Sequence, residues 1–77
     1  MDEIGQVVLF HRKQAGLSRV ELSTLAGVGK TAIFDIEHGK PTVRLQTLLK
    51  VLRILNIRLD WISPLKESYE TGARSRP

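Results

Sequence analysis

The chain has 77 residues, room for one domain with a small core, so association between copies is an expected source of further stability. It contains no cysteine, which excludes a disulfide framework and a thiolate metal site and fits a reducing compartment. Twelve Lys and Arg against eight Asp and Glu leave a net charge of +4, a surplus that favours polyanionic partners but is shared by many small basic proteins.

Asp2 and Glu3 stand where a signal peptide would carry basic residues, and both suit the N-terminus of a helix. No run is long and charge-free enough to cross a membrane, so the expectation is an intracellular, cytoplasmic protein. Ile4, Val8 and Ala15 recur at helical spacing up to Gly16, a C-terminal stop. The next segment carries the clearest local signal in the chain. Ser18 and Glu21 form a capping box, and Leu17 and Leu22 form the two ends of a hydrophobic staple, so a second helix begins at Ser18.

Gly27 ends that helix early, Val28 is the buried pivot, and Gly29 caps a third helix. In the third helix Ala32, Ile33 and Ile36 face inward, and Gly39 stops it. Pro41 and Thr42 mark the start of a fourth helix, with Thr42 as its N-cap and Asn56 as its C-cap. Leu45, Leu48, Leu49, Leu52 and Leu55 form its apolar stripe. Val43, Val51 and Ile54 widen that stripe beyond what one small core requires.

After Asn56 the apolar period shortens: Ile57, Leu59 and Trp61 alternate with their neighbours up to Ile62, which reads as one short strand. A lone strand needs a partner, and a second copy supplies one. Residues 1–65 thus make a single domain, and 66–77, rich in Ser, Gly, Arg and Pro, read as a disordered tail.

Two helices joined by a tight turn at Gly27, over about Ser18 to Glu37, make a helix-turn-helix motif. Ile4-Gly5, Arg12, Gly16-Leu17-Ser18, Glu21-Leu22, Ala26-Gly27-Val28, Ile33, Ile36-Glu37 and Gly39 together resemble the Xre family of phage-repressor-like regulators. Asp35, Glu37, Gly39-Lys40-Pro41-Thr42 and the closing strand resemble its HipB-type antitoxin branch. The resemblance implies an all-α, lambda-repressor-like bundle of four helices plus a short C-terminal strand that pairs across a homodimer. It further implies a bacterial, nucleoid-associated repressor of a palindromic operator in double-stranded DNA, autoregulating an operon that encodes a HipA-like toxin kinase. A stand-alone phage-like repressor and a restriction–modification controller protein are the alternatives within the family.

Carried over by position, the DNA base contacts are Gly29, Lys30, Thr31 and Phe34, and the phosphate contacts are Ser18, Arg19, Lys40, Thr42 and Arg44. Lys30 serves equally well as a solvated or phosphate-binding lysine, and Lys40 and Arg44 as ordinary surface charge. Thr42 is first of all a helix cap. Phe34 replaces a small polar residue of many relatives, Gly29 replaces a serine N-cap, and Arg19 replaces a glutamine. Arg12 and Glu37 are expected to form a structural ion pair. Ile57, Leu59, Trp61, Val51 and Ile54 are expected at the dimer interface.

Other chemistry finds little support. Gly27-Val28-Gly29-Lys30-Thr31 imitates the end of a phosphate-binding loop, but position 24 is Thr24 rather than glycine and a helix precedes it. His11 and His38 share no ligand spacing with other residues, so neither a metal nor a cofactor is expected. No nucleophile stands at a spacing that pairs it with a base, and in so short a chain no enzyme is expected. A protein-interaction module is the serious rival reading. Val7, Leu9, Phe10, Val20 and Leu25 are apolar where relatives expose polar groups, and a cluster of them would mark a binding patch.

Overall fold

The computed structural model describes residues 2–59. Four helices occupy them: α1 (Asp2–Gln14), α2 (Arg19–Ala26), α3 (Lys30–Glu37) and α4 (Leu45–Ile54). Among these residues no helix is long and apolar enough to cross a membrane.

The core is the set of inward positions the helical period selects. Val8 from α1, Leu22 from α2, Ile33 and Ile36 from α3, and Leu48, Val51 and Leu52 from α4 are at most 3% exposed. Ile4, Leu17, Ala26, Val28, Val43, Leu55 and Ile57 close around them. α2 packs on α3 and α4, while α1 packs on α3. That last contact depends on Gly5, which is buried where α1 crosses the C-terminal end of α3. A methyl group there would overlap the Ile36 and Glu37 carbonyl oxygens.

Every helix ends in one way. Gly16, Gly27, Gly39 and Asn56 have φ between 58° and 71°, the left-handed region. At each of them, the next residue's N–H reaches back five positions to close the last turn: Leu17 to Arg12, Val28 to Ser23, Lys40 to Asp35 and Ile57 to Leu52. At α4 the non-glycine residue is Asn56, whose short polar side chain tolerates this conformation best.

Several sequence expectations change. Ala15 lies exposed in the turn after α1. Thr42 is not the cap of α4: the N-cap is Arg44, without a side-chain hydrogen bond. Pro41 and Thr42 form a turn, closed by Val43 N–H to Lys40 O at 3.4 Å, and Arg44 stays extended, so α4 begins only at Leu45. Val51 is fully buried within the subunit and offers no surface to a partner, which removes it from the expected dimer interface. It faces inward because it lies three residues after Leu48 on the core-facing stripe. No strand occurs among the described residues. Ile57 donates its N–H to Leu52 instead, and a ladder would in any case need a second strand. Trp61 and the expected tail at 66–77 lie outside the described residues.

Candidate nucleic-acid interface

The capping box predicted at Ser18 is present, and it fixes where α2 starts. Ser18 Oγ accepts from Glu21 N–H at 3.0 Å, and Glu21 Oε1 accepts from Ser18 N–H at 2.8 Å. Hydrogen bonding from the Ser18 backbone N–H, and secondarily from its side chain, holds the Glu21 carboxyl below its usual range. The Ser18 hydroxyl thus already serves the cap of α2. Nine residues after Ser18, Gly27 turns the chain, and Gly29, extended and without a side chain to cap with, opens α3.

α3 carries its first residues outward. Gly29, Lys30 and Thr31 are exposed, and one turn on Phe34 is 48% exposed, while Ile33 and Ile36 anchor the opposite side in the core. The helix is thus held by its apolar face, with its N-terminal positions open to a partner. Lys40, Thr42 and Arg44 lie exposed past its other end. Lys40 Nζ stands 3.6 Å from Asp35 Oδ2, a solvent-facing pair of small energetic weight. Among the described residues no hydrogen bond joins these three to Lys30 or Thr31.

Behind this surface lies a charged cluster. Arg12 and Glu37 form the expected pair, and it is bidentate: Nε to Oε2 at 2.6 Å and Nη2 to Oε1 at 3.2 Å. Arg12 Nη1 also donates to Leu17 O at 2.9 Å, tying α1 to the entry of α2. Burial pushes the Glu37 carboxyl up, but the hydrogen bonds from Arg12 and Arg19 and their positive charges outweigh it and hold it below the usual range.

Arg19, expected at the phosphates, is also a member of this cluster, through a bond that the sequence reading did not include. Its Nε donates to Glu37 Oε1 at 2.9 Å, and its guanidinium carbon sits 5.4 Å from the centre of the Phe34 ring. The side chain is still 42% exposed, so Arg19 joins the buried pair to the outer surface. Phe34 is engaged a second time. The His38 ring stacks on it with centroids 3.8 Å apart and planes 21° from parallel, and His38 Nδ1 lies 2.8 Å from Phe34 O. The four-residue spacing of Phe34 and His38 on one helix face was the available signal for that stack. Nothing local could have revealed the Arg19–Glu37 bond, which links residues 18 positions apart.

Among the described residues no group of three His, Cys, Asp or Glu is arranged to hold a metal ion. A second surface lies away from α3. Leu45, Leu49, Ile54 and Leu59 are 64, 42, 36 and 46% exposed, and Leu49, Leu52, Arg53, Ile57, Arg58 and Leu59 line a groove there. A neighbouring groove brings Glu3, Ile4 and Val7 of α1 against Leu52, Ile57 and Leu59. The apolar residues Val7, Phe10, Val20 and Leu25 are exposed as well, whereas Leu9 is half-buried.

Comparison with known proteins agrees with this geometry. Residues 11–62 match the helix-turn-helix family. An uncharacterized helix-turn-helix-type transcriptional regulator of Sinorhizobium fredii is 40% identical over 62 residues, 80% of this chain and 82% of that protein. A second such regulator, from Haemophilus influenzae, is 44% identical over 55 residues, 71% of this chain and 55% of its own length. With the motif built into α2 and α3 and the match spanning most of its length, the chain belongs to the helix-turn-helix family.

Proposed function

We propose that the protein is a sequence-specific DNA-binding transcriptional repressor that acts as a homodimer on a palindromic operator. The observation that carries this reading is α3: its apolar side is locked in the core while Gly29, Lys30 and Thr31 at its N-terminal end are exposed. A helix held this way enters the major groove with its first residues against base edges. Lys30 donates to guanine O6 or N7, Thr31 bonds several bases, Gly29 lets the backbone approach, and the open rim of Phe34 meets a thymine methyl. Ser18, Arg19, Lys40, Thr42 and Arg44 serve the backbone phosphates, and the relatives, named as transcriptional regulators, support the role.

Within that role we place the protein as the antitoxin of a HipA/HipB-type module, repressing its own operon in the bacterial cytoplasm. Two features support this. The run Asp35, Glu37 and Gly39-Lys40-Pro41-Thr42 resembles that branch, and Val7, Phe10, Val20 and Leu25 expose apolar surface that DNA does not need. A HipA-like kinase is the partner this reading names.

Selection of bound duplexes from a random pool tests the repressor reading. A palindromic preference is expected, and Lys30→Ala or Thr31→Ala should alter the selected sequence more than the affinity for unrelated DNA. Equal weakening on every duplex would remove these residues as base readers. Co-purification with the product of the neighbouring gene tests the antitoxin assignment.

A further inference from the structure

Arg19 comes from α2, yet both groups that hold it come from α3. Glu37 takes its Nε at 2.9 Å, and Phe34, one turn earlier, lies under its guanidinium at 5.4 Å. We propose that Phe34 and Glu37 are positioning residues that act on DNA through Arg19, fixing its guanidinium so that its outer amino groups meet a backbone phosphate. This deepens the DNA-binding reading given above and rests on it.

The charge balance leaves Arg19 available for that contact. Arg12 already meets Glu37 through two bonds, so one carboxylate faces two guanidinium groups and the cluster keeps a net positive charge. Since Glu37 is buried, that surplus is expressed through Arg19, the exposed member, whose side chain is 42% exposed against 9% for Arg12. An arginine has five N–H donors, and the Glu37 bond uses only the inner one. The amino groups, the end that recognises phosphate oxygens in a fork, have no hydrogen bond among the described residues.

Phe34 is itself held. His38 stacks on its ring at 3.8 Å, and the contact of Nδ1 with Phe34 O at 2.8 Å fixes the imidazole. A ring fixed in this way gives Arg19 a stationary support, whereas a small polar residue would leave the guanidinium tethered at one point. An arginine ordered before binding loses less freedom when it meets the phosphate, and that difference appears as affinity. Arginine at position 19 and phenylalanine at position 34 thus form one device.

The test is a double-substitution cycle on a fluorescent duplex of mixed sequence, which suffices because phosphate contacts do not depend on sequence. Arg19→Ala should weaken binding and lower the slope of log affinity against log salt by about one. Phe34→Leu should weaken binding roughly two- to fivefold, the range of an exposed cation–π contact, with the melting temperature followed separately. Phe34→Tyr, which keeps the ring, should bind as the parent does. On this duplex of mixed sequence, which offers Phe34 no fixed thymine to read, Phe34→Leu should have no further effect in the Arg19→Ala background. Additive losses in the double variant would show that Phe34 acts independently of Arg19 and would overturn the inference, even with DNA binding intact. No change on Arg19→Ala alone, or no binding of DNA by the parent, would overturn the phosphate contact or the DNA-binding reading, and the inference with it.

Discussion

At the scale of single residues, Glu37 ties three helices together. It is the last residue of α3, and it draws in an arginine from α1 and another from α2. A carboxylate this deeply buried is tolerated because its charge is more than matched, and removing one partner of such a pair costs about 3–5 kcal/mol. Acid does the same without a substitution. The folded-state pKa of Glu37 lies below the ordinary value of 4.5, so its contribution is complete above that value, where both folded and unfolded chains are ionised. As pH falls below it, the unfolded chain takes up its proton first, and the contribution disappears as pH drops through the lower folded value. Urea unfolding at successively lower pH should therefore show stability falling steeply through the acid range. Glu37→Gln should be less stable at neutral pH and respond less to acid. The lowered Glu21 pKa acts in the same direction in both proteins, so the difference between them isolates Glu37. Parallel pH curves for the two would contradict the assignment.

At the scale of elements, the helices are set by their ends and by one close approach. The ends were legible: Ser18 with Glu21, Gly16, Gly27, Gly39 and Asn56 are local signals whose meaning depends on a few neighbouring residues. The C-cap of α4, however, is Leu55, and Asn56, expected as that cap, is the left-handed residue after it. The start of α4 was not legible, because Thr42 has the chemistry of a cap but the Pro41 turn leaves it two residues early. The strand expected over 57–62 does not appear at its described residues, 57–59, where Ile57 turns back on Leu52 and a single chain offers no ladder. The inward turn of Val51 lay between these cases: its period was visible, but how far the core would reach around α4 was not. Gly5 is the close approach, and it yields a prediction. Gly5→Ala raises helix propensity by about 1 kcal/mol, which alone would stabilise α1. The added methyl, however, meets two backbone carbonyl oxygens of α3, and backbone cannot move aside as a side-chain tip can. Overpacking of this kind costs about 1–3 kcal/mol, so a net loss is expected in urea titration, with Gln6→Ala at the exposed neighbouring position near neutral. A Gly5→Ala variant as stable as the parent would mean that α1 can lift off α3 freely.

At the scale of the whole molecule, the apolar surface left open among the described residues is what the proposed dimer would cover. Among the described residues seven apolar side chains are fully or nearly buried, whereas Leu45, Leu49, Ile54 and Leu59 are open, along α4 and just beyond it. The two grooves described above share Leu52, Ile57 and Leu59, so the apolar surface runs on to Ile4 and Val7 of α1. Ile54, Ile57 and Leu59 are the described members of the proposed dimer contact, and Leu49 lines the groove with Ile57 and Leu59. Joining two copies there would present two α3 helices about one DNA turn apart, ~34 Å, which is the spacing a palindrome requires. Leu49→Glu places a charge in this contact without touching the core, since Leu49 is 42% exposed. Sedimentation should then give a dimer for the parent and a monomer for Leu49→Glu, with unchanged helical content. Affinity should fall much more on a palindromic duplex than on a half-site, because the second α3 no longer arrives tethered to the first. Phe10→Glu, on α1 and outside both grooves, should leave the dimer intact. If Phe10→Glu separates the subunits and Leu49→Glu does not, the copies meet on a different face, and the α3 helices lose the spacing that this arrangement gives them.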